Sequence, residues 1–235
     1  MPFSHITNHV LKHFPNAMNM RDAATHHLGI LQNGHGIVTS RLLMAISVCS
    51  DENINSIRDS FHVVNGPFFL GGLAGFPHTG LTGMTAFAHH VPDTGVPIIL
   101  YGPHIGVSAT GELGKMRRYQ QKHDSGSCGA LLLALNRIKE GAVADSRDHD
   151  GQQLHLEHTL EKEKDQIIGS DNELKAITEA AYTDIDHQIR QILSATKNEF
   201  PTKMAVLLGA ILINTDHGVD DFLDIRRFEV VEGCW

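Results

Sequence analysis

Cysteine is scarce in this chain: Cys49, Cys128 and Cys234 are its three, too few and too far apart to build a disulfide scaffold. That usage fits a reducing compartment, and we expect a cytoplasmic protein. No apolar run approaches the roughly 20 residues of a membrane-spanning helix. Basic residues do not cluster and the net charge is −8, so neither nucleic acid nor an anionic membrane is an expected partner. Met1 to Phe14 shows no charged-then-apolar signal pattern and no Arg/Ser-rich transit character. The stretch Gly66 to Gly80, too dense in glycine and proline for a regular element, reads as a tight apolar loop; it lacks the Gly-x-Gly-x-x-Gly of a dinucleotide site, and Gly114-Lys115-Met116 fails the phosphate-loop pattern at its last position. The absence of Cys-x-x-Cys disfavours a thiol redox protein. Histidine is frequent at 17, but it is scattered, and abundance by itself supports no metal site.

With 235 residues and an ordinary apolar share, the chain can bury a full core as one domain, 1–235. Three short apolar runs read as strands buried on both faces: Leu42 to the Cys49-Ser50-Asp51 end, Val96 to Tyr101, and Met204 to Asn214. Phe228 to Val231 suggests a further short strand. Helical spacing covers Phe3 to Phe14, where Phe3, Ile6, Val10, Leu11 and Phe14 share a face, and Asn53 to Val63. Asn19 reads as the N-cap of a helix that Gly29 ends, Thr85 to His90 as a short helix, and Ala130 to Ile138 as an apolar helix opened by Cys128-Gly129. The charged stretch 150–196 carries two more helices, Gln152 to Ile168 and Asn172 to Leu193, with solvated polar faces. The expected architecture is α/β: a central, mainly parallel sheet flanked by helices, with 1–30 as a helical arm packing on the domain or on a second subunit.

The chemistry concentrates at strand ends, where ligands of open α/β sheets gather. Cys49 and Asp51 follow the first buried strand, His104 follows the second through Gly102-Pro103, and Cys128 opens the apolar helix. Two thiolates and an imidazole form a zinc set that leaves a fourth position for water. Taken alone, Cys49 can equally be a buried small hydrophobe and Asp51 a helix cap, because spacings this long are not diagnostic without the fold.

Six motifs in order change the weighing: Cys49-x-Asp51, Leu70-Gly-Gly-Leu-Ala-Gly75, His89-His-x-Pro-Asp93, Gly102-Pro-His104-x-Gly106, Gly114-Lys-x-x-Arg118 and Cys128-Gly-Ala130. Over Leu42 to Leu135 the chain resembles the limiting-CO2-inducible protein B/C family, which is similar to β-class carbonic anhydrases. The resemblance makes 42–135 a zinc-site core and implies reversible hydration of carbon dioxide to bicarbonate, with Cys49, His104 and Cys128 as zinc ligands and Asp51 as the carboxylate beside the metal. It also implies a homodimer. The common β-class pattern continues Cys-x-Asp-x-Arg, but Asn53 stands in the last position. The arginine that holds Asp51 off the metal must come from elsewhere; Arg118 is our choice, with Arg58 and Arg117 as competitors. Carbon dioxide is apolar, so Phe69, Leu73, Phe76 and Phe87 are candidates for its pocket, against an ordinary place in the core. His90 is the candidate proton shuttle, against a structural hydrogen-bonding role near Asp93. The alternative to an enzyme is a silent member that binds zinc or bicarbonate and acts through partners while Asp51 fills the open position.

Overall fold

A computed structural model of the chain describes residues 3–51 and 54–233, with side chains from residue 5 onward. Asn53, Cys234 and the Phe3 side chain, singled out above, lie outside the described residues. The apolar runs form the sheet interior: β2 (Leu42–Ser47), β4 (Val96–Tyr101) and β8 (Met204–Asn214) lie side by side and parallel. Their residues alternate between two helical layers. Met44, Ile46, Ile98, Leu100, Val206 and Leu208 face one layer. Ala45, Ile99, Tyr101, Ala205 and Leu207 face the other. Burial on both sides explains why these strands read as continuous apolar runs and not as an alternation.

The first layer contains α2 (Met20–His35) and α3 (Ile54–Ser60). The second contains α4 (Gly80–His90), α5 (Gly129–Glu140), α6 (Gly151–Glu161), α7 (Lys164–Ile168) and α8 (Glu173–Thr196). In α8, Ile177, Ala181, Ile185, Ile189 and Leu193 recur every four residues and are all buried, and Asn172 caps the helix by accepting from the Lys175 amide. The arm α1 (Phe3–His13) sets Ile6, Val10 and Phe14 against Ile105, Ile211 and Phe222 of the same chain. No helix among the described residues is long and apolar enough to cross a membrane.

Four expectations need correction. Gly29 does not end α2; the helix runs on to His35 and stops at Gly36, whose φ of 66° is the left-handed cap. A mid-helix glycine costs only about 1 kcal/mol, and Leu28 and Leu31 keep the apolar face buried on either side of it. The short strand near Phe228 is in fact β9 (Phe222–Glu232), antiparallel to β8 over nearly its whole length; its Arg226, Arg227 and Glu229 disguise it because its other side is covered only at Phe222 and Leu223, by the two-residue β1 (Met18–Asn19). Part of the Gly-rich stretch is β3 (Asn65–Phe69), parallel to β2 at the other edge, where Pro67 is tolerated. The polar helices are not wholly solvated either. Glu157 of α6 is fully buried and binds Arg137, Arg147 and Gln153, a paired interior charge.

The chain leaves β4 through Gly102-Pro103 and enters β5 (His104–Gly106), which stays paired with β8. Here the backbone passes so close to β8 that a Cβ at Gly102 would stand 1.8 Å from the Ala210 carbonyl oxygen, and φ is +146°. Gly102→Ala should therefore lower stability by about 2 kcal/mol or more, read as a lower urea midpoint at unchanged slope; an unshifted midpoint would contradict the close approach.

Candidate metal centre

The carboxyl ends of the parallel strands converge on three side chains. Cys49 sits two residues past β2, His104 begins β5, and Cys128 immediately precedes α5. The sulfurs of Cys49 and Cys128 and a ring nitrogen of His104 all lie within 4.8 Å of one another. Cys128 adopts φ 48°, ψ 72°, a left-handed conformation uncommon for a side chain with a Cβ, and it is buried. Ala74, in the Gly-rich loop, is also left-handed at φ 54° and turns its backbone amide toward the Cys49 thiol. Strain of this kind costs about 1–3 kcal/mol per residue and persists where the surroundings fix it, commonly at functional sites. The loop is held down from both sides: the Ser47 hydroxyl donates to the Gly75 carbonyl, and Gln152 of α6 accepts from the Leu73 amide.

Electrostatics match a ligand set. The Cys49 thiol is brought down to about 5, mainly by its hydrogen bond with Cys128 and then by His104, against the opposing effect of burial. Cys128 is pushed up by that same hydrogen bond with Cys49 and by burial. Burial alone would lower His104, but contact with the Cys49 thiolate, the Asn214 bond and the Asp51 charge outweigh it and raise the ring overall. His104 is only 3% exposed, and its Nε2 is buried without a well-formed hydrogen bond. An orphaned imidazole nitrogen facing two sulfurs fits a metal ion of the zinc type, which takes thiolate and imidazole donors.

The carboxylate stands at the edge of this cluster. Asp51 Oδ2 lies 3.9 Å from His104 Nε2 and accepts from Arg118 Nη2 at 3.3 Å. Arg118 is itself fixed, donating through Nη1 to the Ser125 hydroxyl at 2.8 Å and the Gly126 carbonyl at 2.9 Å. It lies on the hairpin of β6 (Lys115–Met116) and β7 (Ser125–Gly126), which leads straight into Cys128. Of the competitors, Arg117 is committed to Asp216 and Arg58 is exposed in the last turn of α3.

The remaining candidates divide. Phe69 is 54% exposed and, with Ile46, Val48 and Ile54, lines a groove of about 330 Å³ that reaches Cys49 and Asp51. Leu73 lies in the loop beside the cluster, partly exposed. Phe76 and Phe87 are fully buried core residues, and Phe87 packs against Phe68 and Phe200, so they are better read as core than as pocket walls. His90, the expected shuttle, ends α4 and packs edge-on against Phe68, which pairs beside Ala45 of β2. Sequence reasoning also missed residues that serve the cluster. Asn214 Oδ1 lies 2.7 Å from His104 Nδ1, and Asn214 Nδ2 donates to Asp221 at 3.2 Å. The available signal was that Asn214 closes a buried strand at the same sheet edge as Cys49 and His104.

The family profile described as limiting CO2-inducible proteins B/C, beta carbonic anhydrases, matches residues 17–232. The chain belongs to this family. Among solved structures it is similar to PtLCIB4, described as a homolog of the limiting CO2-inducible protein LCIB, at 28% identity and a TM-score of 0.89, covering 96% of this chain and 95% of that one. LCIB itself shares the fold at 18% identity and a TM-score of 0.72, covering 96% and 95%. No curated protein matches the chain.

Replacing any one of Cys49, His104 or Cys128 by Ala should reduce bound zinc from about one ion per chain to a small fraction, measured by elemental analysis after gel filtration in reductant. Full zinc retention in one of these variants removes that residue from the set.

Proposed function

We propose that this protein is a zinc-dependent carbonic anhydrase that interconverts carbon dioxide and bicarbonate. The observation that carries this reading is Asp51, held by Arg118, beside the Cys49, His104 and Cys128 cluster. Those three residues would hold zinc, whose Lewis acidity brings the pKa of water down to about 7. Membership of a family described as beta carbonic anhydrases supports the same reaction.

The chain's own residues divide the work. Asp51 accepts a hydrogen bond from the attacking water, which fixes the direction of its lone pair toward the substrate carbon. Arg118 donates to Asp51 and holds the carboxylate off the ligand position, and its bonds to Ser125 and Gly126 hold it in place. Carbon dioxide offers little to hydrogen-bond, and Ile46, Val48 and Phe69 give the groove an apolar wall that suits it. Bicarbonate is charged and leaves such a wall readily. A homodimer and a cytoplasmic location belong to the same proposal, since a reducing compartment keeps both thiols free to ligate.

Stopped-flow hydration of carbon dioxide by the zinc-loaded protein, in reductant and across pH, tests it. The wild type should exceed the uncatalysed rate by orders of magnitude, and Arg118→Leu should lose about 100-fold or more while retaining its zinc. Zinc-loaded wild type that does not hydrate carbon dioxide overturns the enzyme reading and leaves a zinc- or bicarbonate-binding role.

A further inference from the structure

We propose that Asp221, acting through Asn214, sets the tautomer of His104 and so keeps its Nε2 available to a metal. Both are positioning residues, and the inference rests on Cys49, His104 and Cys128 being a zinc set.

A neutral imidazole has one donor and one acceptor nitrogen, and the bond made by one nitrogen decides the state of the other. In His104, Nδ1 meets Asn214, and Nε2 faces the sulfurs. An asparagine alone does not decide the matter. Its oxygen and its NH2 group have nearly the same shape, so the amide can turn over and offer either one.

Asp221 removes that freedom. Its carboxylate only accepts: Oδ1 takes the Thr215 backbone N–H at 2.9 Å, and Oδ2 takes Asn214 Nδ2 at 3.2 Å. The Ser56 hydroxyl of α3 bonds the same carboxyl. The residue is pinned at its main chain as well, because its carbonyl accepts from the Met20 amide at 2.9 Å. A backbone N–H cannot reverse its polarity, so the order of donors along the chain is fixed from this end. The Asn214 NH2 must face Asp221, its oxygen must face His104, Nδ1 must carry the proton, and Nε2 must keep its lone pair. The reversed arrangement would put a proton on the one nitrogen that a metal needs, and would set two NH2 or two oxygen groups against each other elsewhere.

Asp221→Asn is close to isosteric and inverts this order. The Thr215 N–H retains an oxygen at its end, so the new NH2 meets the NH2 of Asn214. Asn214 then turns over, its NH2 faces Nδ1, and the His104 proton moves to Nε2. Zinc affinity measured by chelator competition should fall about 10–100-fold. In zinc-free, reduced protein, nitrogen–proton correlation spectra recorded above the ring's titration should change from the Nδ1–H to the Nε2–H form. The exchange of both residues, Asn214→Asp with Asp221→Asn, keeps composition and charge and restores the order, because a carboxylate at 214 accepts from Nδ1–H and from the new NH2. It should recover the Nδ1–H form and most of the lost affinity, which a loss of packing alone would not.

An Nε2–H ring in the unaltered protein, an unchanged zinc affinity in Asp221→Asn, or an exchange variant no better than the single one would each overturn the proposal. Should the single variant fail to fold, the unaltered tautomer and the exchange variant still decide. Neither readout uses carbon dioxide. A protein with the stated tautomer and zinc dependence but no hydration keeps this inference and loses the enzyme reading; one that binds no zinc loses the zinc reading while its spectra still report the tautomer.

Discussion

The structure depends on packing a half-buried thiol, a buried thiol and a buried imidazole together at the carboxyl ends of the sheet's interior strands. Such a cluster is costly in an apolar interior, because each donor must face something that accepts its charge or its proton. The protein meets the cost by hydrogen-bonding Cys49 and Cys128 to each other, by bonding His104 Nδ1 to Asn214, and by placing Asp51 and Arg118 at the rim. The left-handed turns at Ala74 and Cys128 bring sulfur and backbone into that small volume.

The layers around the site follow from this placement. β2, β4 and β8 are apolar on both faces because helices cover both, which leaves their ends as the places where polar side chains can be presented together. Asp51 is then controlled from a hairpin and His104 from the end of β8, so the two chemical groups of the site are held by separate elements. A half-buried charge away from the centre is also paired. Asp186 binds Arg227 and the Tyr101 hydroxyl at the end of β4, and burial together with that carboxylate keeps the Tyr101 phenol firmly protonated.

Interior strands were legible because a strand covered on both sides must be apolar throughout, and β4 and β8 fall at the limits that their runs suggest. Edge strands were not. β3 carries Gly66 and Pro67, and β9, flanked on its outer side only by the two residues of β1, carries arginines and glutamates, because an uncovered side requires neither a ladder bond nor an apolar side chain. The Gly29 signal misled for a related reason: its position faces open space, where a missing side chain removes no packing. Likewise, Glu157 reads as a surface charge until Arg137 and Arg147 arrive from elsewhere in the chain.

By itself the sequence determined the sheet interior, the family motifs and the identity of the residues that can bind a metal, because strand periodicity and donor chemistry are local properties. Asn53, where the common pattern has arginine, marked a gap without saying what fills it. Tertiary structure alone decided that Arg118 reaches Asp51, that Phe69 lines the groove while Phe76 and Phe87 are core, and that Asn214 and Asp221 stand behind His104. These are contacts between residues far apart in the chain, and a hydrogen bond depends on distance and direction, which spacing along a sequence does not encode.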